Sequence, residues 1–119
     1  MPADTSLCLK SATEITDLLA RRKVSPSELV AAAITRIEAV DGTVNALPIR
    51  CFERAHDQAR RLDRAGGAAP GWLGGLPIAV KDYNDLAGVR TTFGSPIFAD
   101  NVAARSDLTV ARLEASGAI

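Results

Sequence analysis

A chain of 119 residues with 47% hydrophobic and 24% charged residues is the size and balance of a single globular domain, which excludes a disordered chain. Fourteen basic residues cancel fourteen acidic ones, leaving no electrostatic footprint for nucleic acid or an anionic membrane surface. No stretch approaches the ~20 apolar residues of a membrane span, and Met1 to Leu9 lacks the apolar core of a secretory leader, so a cytoplasmic location is expected.

The first half of the chain reads as helices. Ser11 followed by Glu14 is a capping box, and Ile15, Leu18 and Leu19 place an apolar stripe behind it at helical spacing. The basic run Arg21, Arg22 and Lys23 then falls at the helix end, where cations suit the dipole. A second start signal follows in Ser25-Pro26-Ser27-Glu28, with proline at the first helical position. Leu29, Val30, Ala33, Ile34, Ile37 and Val40 continue it on one face, and Asp41-Gly42 is expected to end it. Asn45 to Ile49 is expected to be extended, because Pro48 disfavours helix at Leu47. Phe52, Ala55, Ala59 and Leu62 predict a third helix with Arg60, Arg61 and Arg64 exposed, stopped by Gly66-Gly67.

A Gly/Pro-rich loop spans 66–76, with Trp72 its one large residue. Pro77 to Val80 is a short apolar run bounded by turn residues, the pattern of a buried strand, with Lys81-Asp82 at its end. Ala87-Gly88 predicts a turn, and Thr91 to Ser95 a second extended piece. A last helix is expected from Ser106 as N-cap, through Leu108, Ala111, Leu113 and Ala115, to Gly117. Ala118-Ile119 then reads as the opening of another buried strand, so that 77–119 is an α/β arrangement: a βαβ unit with its second strand unfinished.

Lys81 is the residue best placed for chemistry. A lysine at the end of a buried apolar strand can be partly desolvated, which makes it a usable base, and glycines on either side let a substrate approach the backbone. The competing reading is a surface lysine paired with Asp82 or Asp85. His56, the single histidine, is expected on the polar side of its helix, and no two-histidine metal site can be built from it. Cys8 and Cys51 lack CxxC spacing and read as reduced thiols. Ser95 lacks a G-x-S-x-G elbow and reads as a turn serine. Neither a cofactor nor a metal is expected.

The stretch Gly74-Gly75-Leu76-Pro77-Ile78-Ala79-Val80-Lys81-Asp82 resembles the lysine-bearing segment of the amidase-signature family. The likeness continues through Leu86-Ala87-Gly88-Val89 and Thr91-Thr92-Phe93-Gly94-Ser95, then Asp107 and Val110 through Leu113, to Gly117-Ala118-Ile119. Upstream, Ser25 to Leu29 and Asn45-Ala46 fit as well, so the resemblance runs from about Ala12 to Ile119. It implies an α/β fold in which N-terminal helices lead into a mixed, largely parallel sheet, here incomplete. Residues 1–119 would be the N-terminal part of a single amidase domain, helical over 11–65, with a loop at 66–76 and the start of the α/β core at 77–119.

The family mechanism implied is cleavage of a carboxamide C–N bond by a Ser–cis-Ser–Lys triad. Only Lys81 has a counterpart among those catalytic groups. Asp82 belongs to the same motif and is expected to hold the local backbone without pointing at the ammonium, because its charge would favour the protonated lysine. None of Ser6, Ser11, Ser25, Ser27, Ser95, Ser106 or Ser116 matches the family's serines, so the chain by itself is expected to be inactive. Tyr83 stands where many relatives have asparagine. A small-molecule amide is the substrate class implied for the full-length protein, and a homo-oligomer is compatible. The alternative reading is a non-catalytic interaction module or subunit that retains the helical part of the fold.

Overall fold

Both Ser-x-x-Glu patterns form reciprocal caps. Glu14 N–H donates to Ser11 Oγ (3.3 Å) while Ser11 N–H donates to the Glu14 carboxylate (2.8 Å), starting α1 (Ala12–Ala20). Ser25 and Glu28 repeat the arrangement at 3.2 and 2.8 Å, with Pro26 opening α2 (Pro26–Val44). The computed structural model describes residues 3–66 and 71–119, and its remaining helices are α3 (Phe52–Ala65) and α4 (Leu108–Ala115). Short 3-10 turns lie at Thr5–Leu9 and Pro96–Phe98. Among the described residues no helix is long and apolar enough to cross a membrane.

Helix α2 runs past the expected stop at Asp41-Gly42 and ends at Asn45, which is left-handed (φ 52°, ψ 46°). The reason is that Asp41 stays helical and uses its carboxylate instead to gather the chain that follows. Ala46 N–H (2.7 Å), Leu47 N–H (3.3 Å) and the Arg50 guanidinium (3.0 Å) all donate to it. Helix α1 ends in a Schellman turn, with Lys23 N–H donating to Leu18 O (2.8 Å) and Arg22 left-handed at φ 53°. Helix α3 closes at Gly66, with Arg60, Arg61 and Arg64 exposed as expected. Of the predicted loop 66–76, residues 67–70, including Gly67 of the expected stop, lie outside the described residues.

The clearest apolar cluster joins Ile15 and Leu19 of α1 to Leu29 of α2, with Leu7, Leu18, Val24 and Leu76 packed around it. Ile34, Ile37 and Val40 on α2 are only half-buried. Ile97 (87% exposed) and Leu108 (68%) face solvent outright, so much apolar surface on this chain is uncovered.

The extended run that leads to Lys81 is held by the segment after α4. Leu73 N–H donates to Ser116 O and Gly75 N–H to Gly117 O, each at 2.7 Å. Ile119 N–H then donates to Leu76 O (3.0 Å) and Ile78 N–H to Ile119 O (2.7 Å), the slanted spacing of a parallel pair around Pro77 and Ile119. The predicted strand at 77–80 is nonetheless not a strand among the described residues. Among the described residues both bonds around Pro77 come from Ile119, Pro77 has no N–H to give, and a ladder needs more rungs than that.

Two further expectations are corrected. Residues 91–95 turn rather than extend: Phe93 (φ 53°) and Gly94 (φ 66°) are left-handed, and Ser95 N–H bonds back to Thr92 O (2.9 Å). Among the described residues an isolated antiparallel bridge pairs Arg90 with Val102. The N-cap of α4 is Asp107, not Ser106, and its side chain makes no cap bond. Both side chains are instead drawn to the loop after Asp82: Ala87 N–H donates to Ser106 Oγ (2.9 Å), and Asp85 N–H and Asn84 Nδ2 donate to Asp107 (3.1 and 3.2 Å).

Two stability changes are expected. Ser25→Ala should lower unfolding free energy by about 1 kcal/mol in urea titration, since it removes one half of a capping box. Gly117→Ala should cost more, about 2–5 kcal/mol from left-handed strain plus overpacking. Gly117 has φ 89°, and a Cβ there would lie 2.8 Å from the Trp72 ring and 3.0 Å from Gly74 N.

Candidate active site

Lys81 lies where the extended run meets solvent. The turn that carries it is closed by Asn84 N–H donating to Lys81 O (2.9 Å). The side chain is exposed, and its Nζ lies 4.6 Å from the centre of the Tyr83 ring. The pairing of Lys81 with Asp82 or Asp85, open from the sequence, does not form among the described residues. There the ion pairs are Arg21–Asp17, Arg50–Asp41, Arg54–Glu114 and Arg60–Asp57.

Asp82 is turned the other way. Its carboxylate accepts the Thr92 amide (2.8 Å) and the Thr92 hydroxyl, while its carbonyl accepts Phe93 N–H (3.0 Å). Gly94 N–H in turn donates to Thr92 Oγ1 (3.2 Å). Asp82 therefore stitches the lysine turn to the 91–94 turn, which is the backbone-holding role expected of it. The Thr92 hydroxyl first, then the Thr92 amide, hold the Asp82 carboxyl below the usual aspartate range.

Behind the lysine, α3 and the start of α4 fix the 84–87 loop. Arg54 of α3 donates to Glu114 of α4 (2.7 Å) and to Ala87 O (3.4 Å), and Gln58 shares Glu114 (2.8 Å). Together with Ser106 and Asp107, these contacts tie α3 and α4 to the segment just after the lysine. An open groove of ≈ 760 Å³ runs along this face. Ile34 and Ile37 of α2, Leu47, Ile78, Val80 and Lys81 are among the residues that line it.

Five of the serines have partners of their own. Ser11 and Ser25 cap helices, Ser27 bonds Asp63 of α3, Ser95 caps a 3-10 turn, and Ser106 accepts from Ala87. His56 is half-buried on α3 rather than solvated. Among the described residues no three of His, Cys, Asp and Glu come together as a metal site.

Sequence reasoning placed Thr92 and Asp107 in the family likeness and Ser106 at a helix start, but not as the residues that hold the turns of Lys81 and Asp82. A threonine ten positions from its aspartate leaves no periodic signal. Tyr83 drew notice only as a departure from the family pattern, and its contact with Lys81 depends on the turn.

Lys81 is thus displayed by a braced turn beside an apolar groove. The family model described as Amidase matches residues 28–119, and the chain belongs to that family, the amidase-signature enzymes. It is 45% identical over 111 residues to a glutamyl-tRNA(Gln) amidotransferase subunit from Moorella thermoacetica, covering 92% of this chain and 23% of that protein. It is 35% identical to an acylamidase of Rhodococcus erythropolis, again over 92% of this chain and 23% of the relative. Among solved structures, a bacterial aryl acylamidase of the amidase-signature family superposes with a TM-score of 0.82 at 27% identity, covering 92% of this chain and 24% of that one. A protein from a vestigial complex that bears on the origin of an s-triazine catabolic enzyme superposes at 0.85 with 36% identity, covering 92% and 25%. The chain thus spans about a quarter of the length of the relatives it matches.

The Asp82–Thr92 clamp carries a pH signature. A carboxyl depressed in the folded state contributes stability above its unfolded-state value, about 3.9, and loses it as pH falls through the lower folded-state value. The Thr92 amide resonance should therefore titrate with a midpoint below the ordinary aspartate value, and Asp82→Asn should abolish that titration.

Proposed function

We propose that these 119 residues are the lysine-bearing N-terminal part of a single amidase-signature domain that hydrolyses a carboxamide, with Lys81 as the base of a Ser–cis-Ser–Lys triad. The observation that carries the reading is the family match across 28–119, which contains the Lys81-Asp82 motif. The clamp that turns the Asp82 carboxylate onto Thr92 adds to it, because it leaves the lysine nitrogen without a carboxylate partner.

In this mechanism the neutral Lys81 amine takes the proton of a serine held in a cis peptide, and that serine deprotonates the nucleophilic one. The nucleophile attacks the amide carbonyl, ammonia or an amine leaves with a proton, and water resolves the acyl-enzyme. Both serines and the oxyanion donors lie outside these residues, within the larger mixed, largely parallel sheet of the family fold. Residues 1–119 alone then have no nucleophile at the site and hydrolyse no amide. The substrate is a small-molecule amide bound by the complete domain.

A second reading, a non-catalytic binding module, draws on the open apolar groove and on the half-buried stripe of α2 that faces it. One experiment separates the two. Residues 1–119 replace the corresponding quarter of the Rhodococcus acylamidase, and hydrolysis of an acyl amide is followed with Lys81 intact and as Lys81→Met. The amidase reading expects kcat to fall by about 10²–10⁴, the usual share of a positioned base. Unchanged hydrolysis in Lys81→Met would favour the binding module.

A further inference from the structure

The carboxylate next to Lys81 in sequence is held by a residue ten positions further on. The Thr92 amide donates to one Asp82 oxygen (2.8 Å), and the Thr92 hydroxyl donates to the other. That hydroxyl has a single proton, and Gly94 N–H, donating to Thr92 Oγ1 (3.2 Å), leaves it aimed at the carboxylate. Phe93 N–H holds the Asp82 carbonyl (3.0 Å) from the same turn. The grip is strained: Phe93 is left-handed at φ 53°, a conformation such a residue keeps only where its surroundings over-determine it. All of these bonds lie within residues 82–94 and need no partner beyond them.

The other charged groups around the site have commitments of their own. Arg54 pairs with Glu114, Arg50 with Asp41, and Asp107 accepts Asn84 and the Asp85 amide. Arg90 donates to Ala99 O, and its charge also favours the Asp82 carboxylate. Asp85 has Oδ1 buried without a partner, and Tyr83 offers Lys81 only its ring. Asp82 is therefore the anion that competes for the lysine. A carboxylate against an amine favours the ammonium, whereas a general base must be the neutral amine.

We propose that Thr92 is a positioning residue for Lys81 that acts through Asp82: by holding the carboxylate in the 91–94 turn, it keeps that anion from fixing the lysine as an ammonium. The part this plays in turnover rests on the amidase reading of Lys81. The hold itself does not, and it is measurable without catalysis.

The chain has three lysines, so acylation of Lys81 by a small amine-reactive ester can be followed by peptide mass spectrometry, with Lys10 and Lys23 as internal references. The neutral amine is the form that reacts, so a carboxylate that pairs with Lys81 slows it. Thr92→Val keeps the branched shape without the hydroxyl and should slow Lys81 about two- to fivefold, the range of an exposed ion pair. Thr92→Ser should keep the wild-type rate. Asp82→Asn with Thr92 intact should change the rate by less than about twofold, because the charge is already withdrawn. Added to Thr92→Val, it should reverse the slowing. A wild-type rate in Thr92→Val, or a slowing that survives in the double variant, would overturn the proposal. So would a severalfold rise in Asp82→Asn alone, a result that needs no change at Thr92. In the acylamidase chimera, Thr92→Val should move the acid limb of kcat/KM upward by about half a pH unit or more, and Asp82→Asn should bring it back. A lower kcat with the limb unmoved would reduce Thr92 to a structural residue and overturn its part in turnover. A chimera indifferent to Lys81→Met while the labelling cycle holds would sink the amidase reading alone.

Discussion

The backbone pairing of residues 73–78 with 116–119 is the interaction on which the candidate site depends. It fastens the extended run that ends at Lys81 to the turn after α4, through four bonds of 2.7–3.0 Å. The pairing is close because three small residues meet there. Gly117 fits beneath the Trp72 ring and against Gly74 N, and Gly75 lies so near Pro26 at the start of α2 that a Cβ would come within 2.6 Å of the proline ring. Glycine is required at Gly75 and Gly117 both for left-handed φ and for the missing Cβ. The run is thereby locked between the helical half of the chain and α4.

From that anchor the site is built by side chains that leave local jobs for distant ones. Asp107 begins α4 yet spends its carboxylate on Asn84 and Asp85, and Ser106 spends its hydroxyl on Ala87. Asp82 is bound ten residues ahead of itself. Each of these bonds closes a loop that would otherwise be free, and together they leave Lys81 on a stiff turn. For the base proposed above, ties of this kind would hold the nitrogen near one place. The uncovered apolar surface has a different meaning. Half-buried Ile34 and Ile37 line a groove rather than a core, which suits a chain that spans a quarter of the relatives it matches.

The strained residues follow the same division. Arg22 and Asn45 take left-handed conformations at helix ends, where the gain is a closed helix terminus. Phe93 takes one within the turn that bonds Asp82, where the gain is the position of the lysine loop. Two of these three are therefore explained by local helix physics and one by the site.

Much was legible from the amino acids alone, because it is local. Ser11 with Glu14 and Ser25 with Glu28 start helices by satisfying their own first amides, and the α2 stripe and the glycine at 117 obey spacing rules that need no partner. Lys81 with Asp82 was likewise readable as a motif. Tertiary structure decided what no spacing encodes. Asp41 prolonged α2 by reaching forward to Ala46, and Asp107 displaced Ser106 as cap because the 84–87 loop competed for both side chains. Residues 77–80 stayed extended without becoming a strand, since a strand is defined by its neighbours and the bonds to this run come through Ile119. Short-range hydrogen bonds are written in sequence order, whereas the partner of a buried carboxylate or an extended backbone is settled only when distant segments meet.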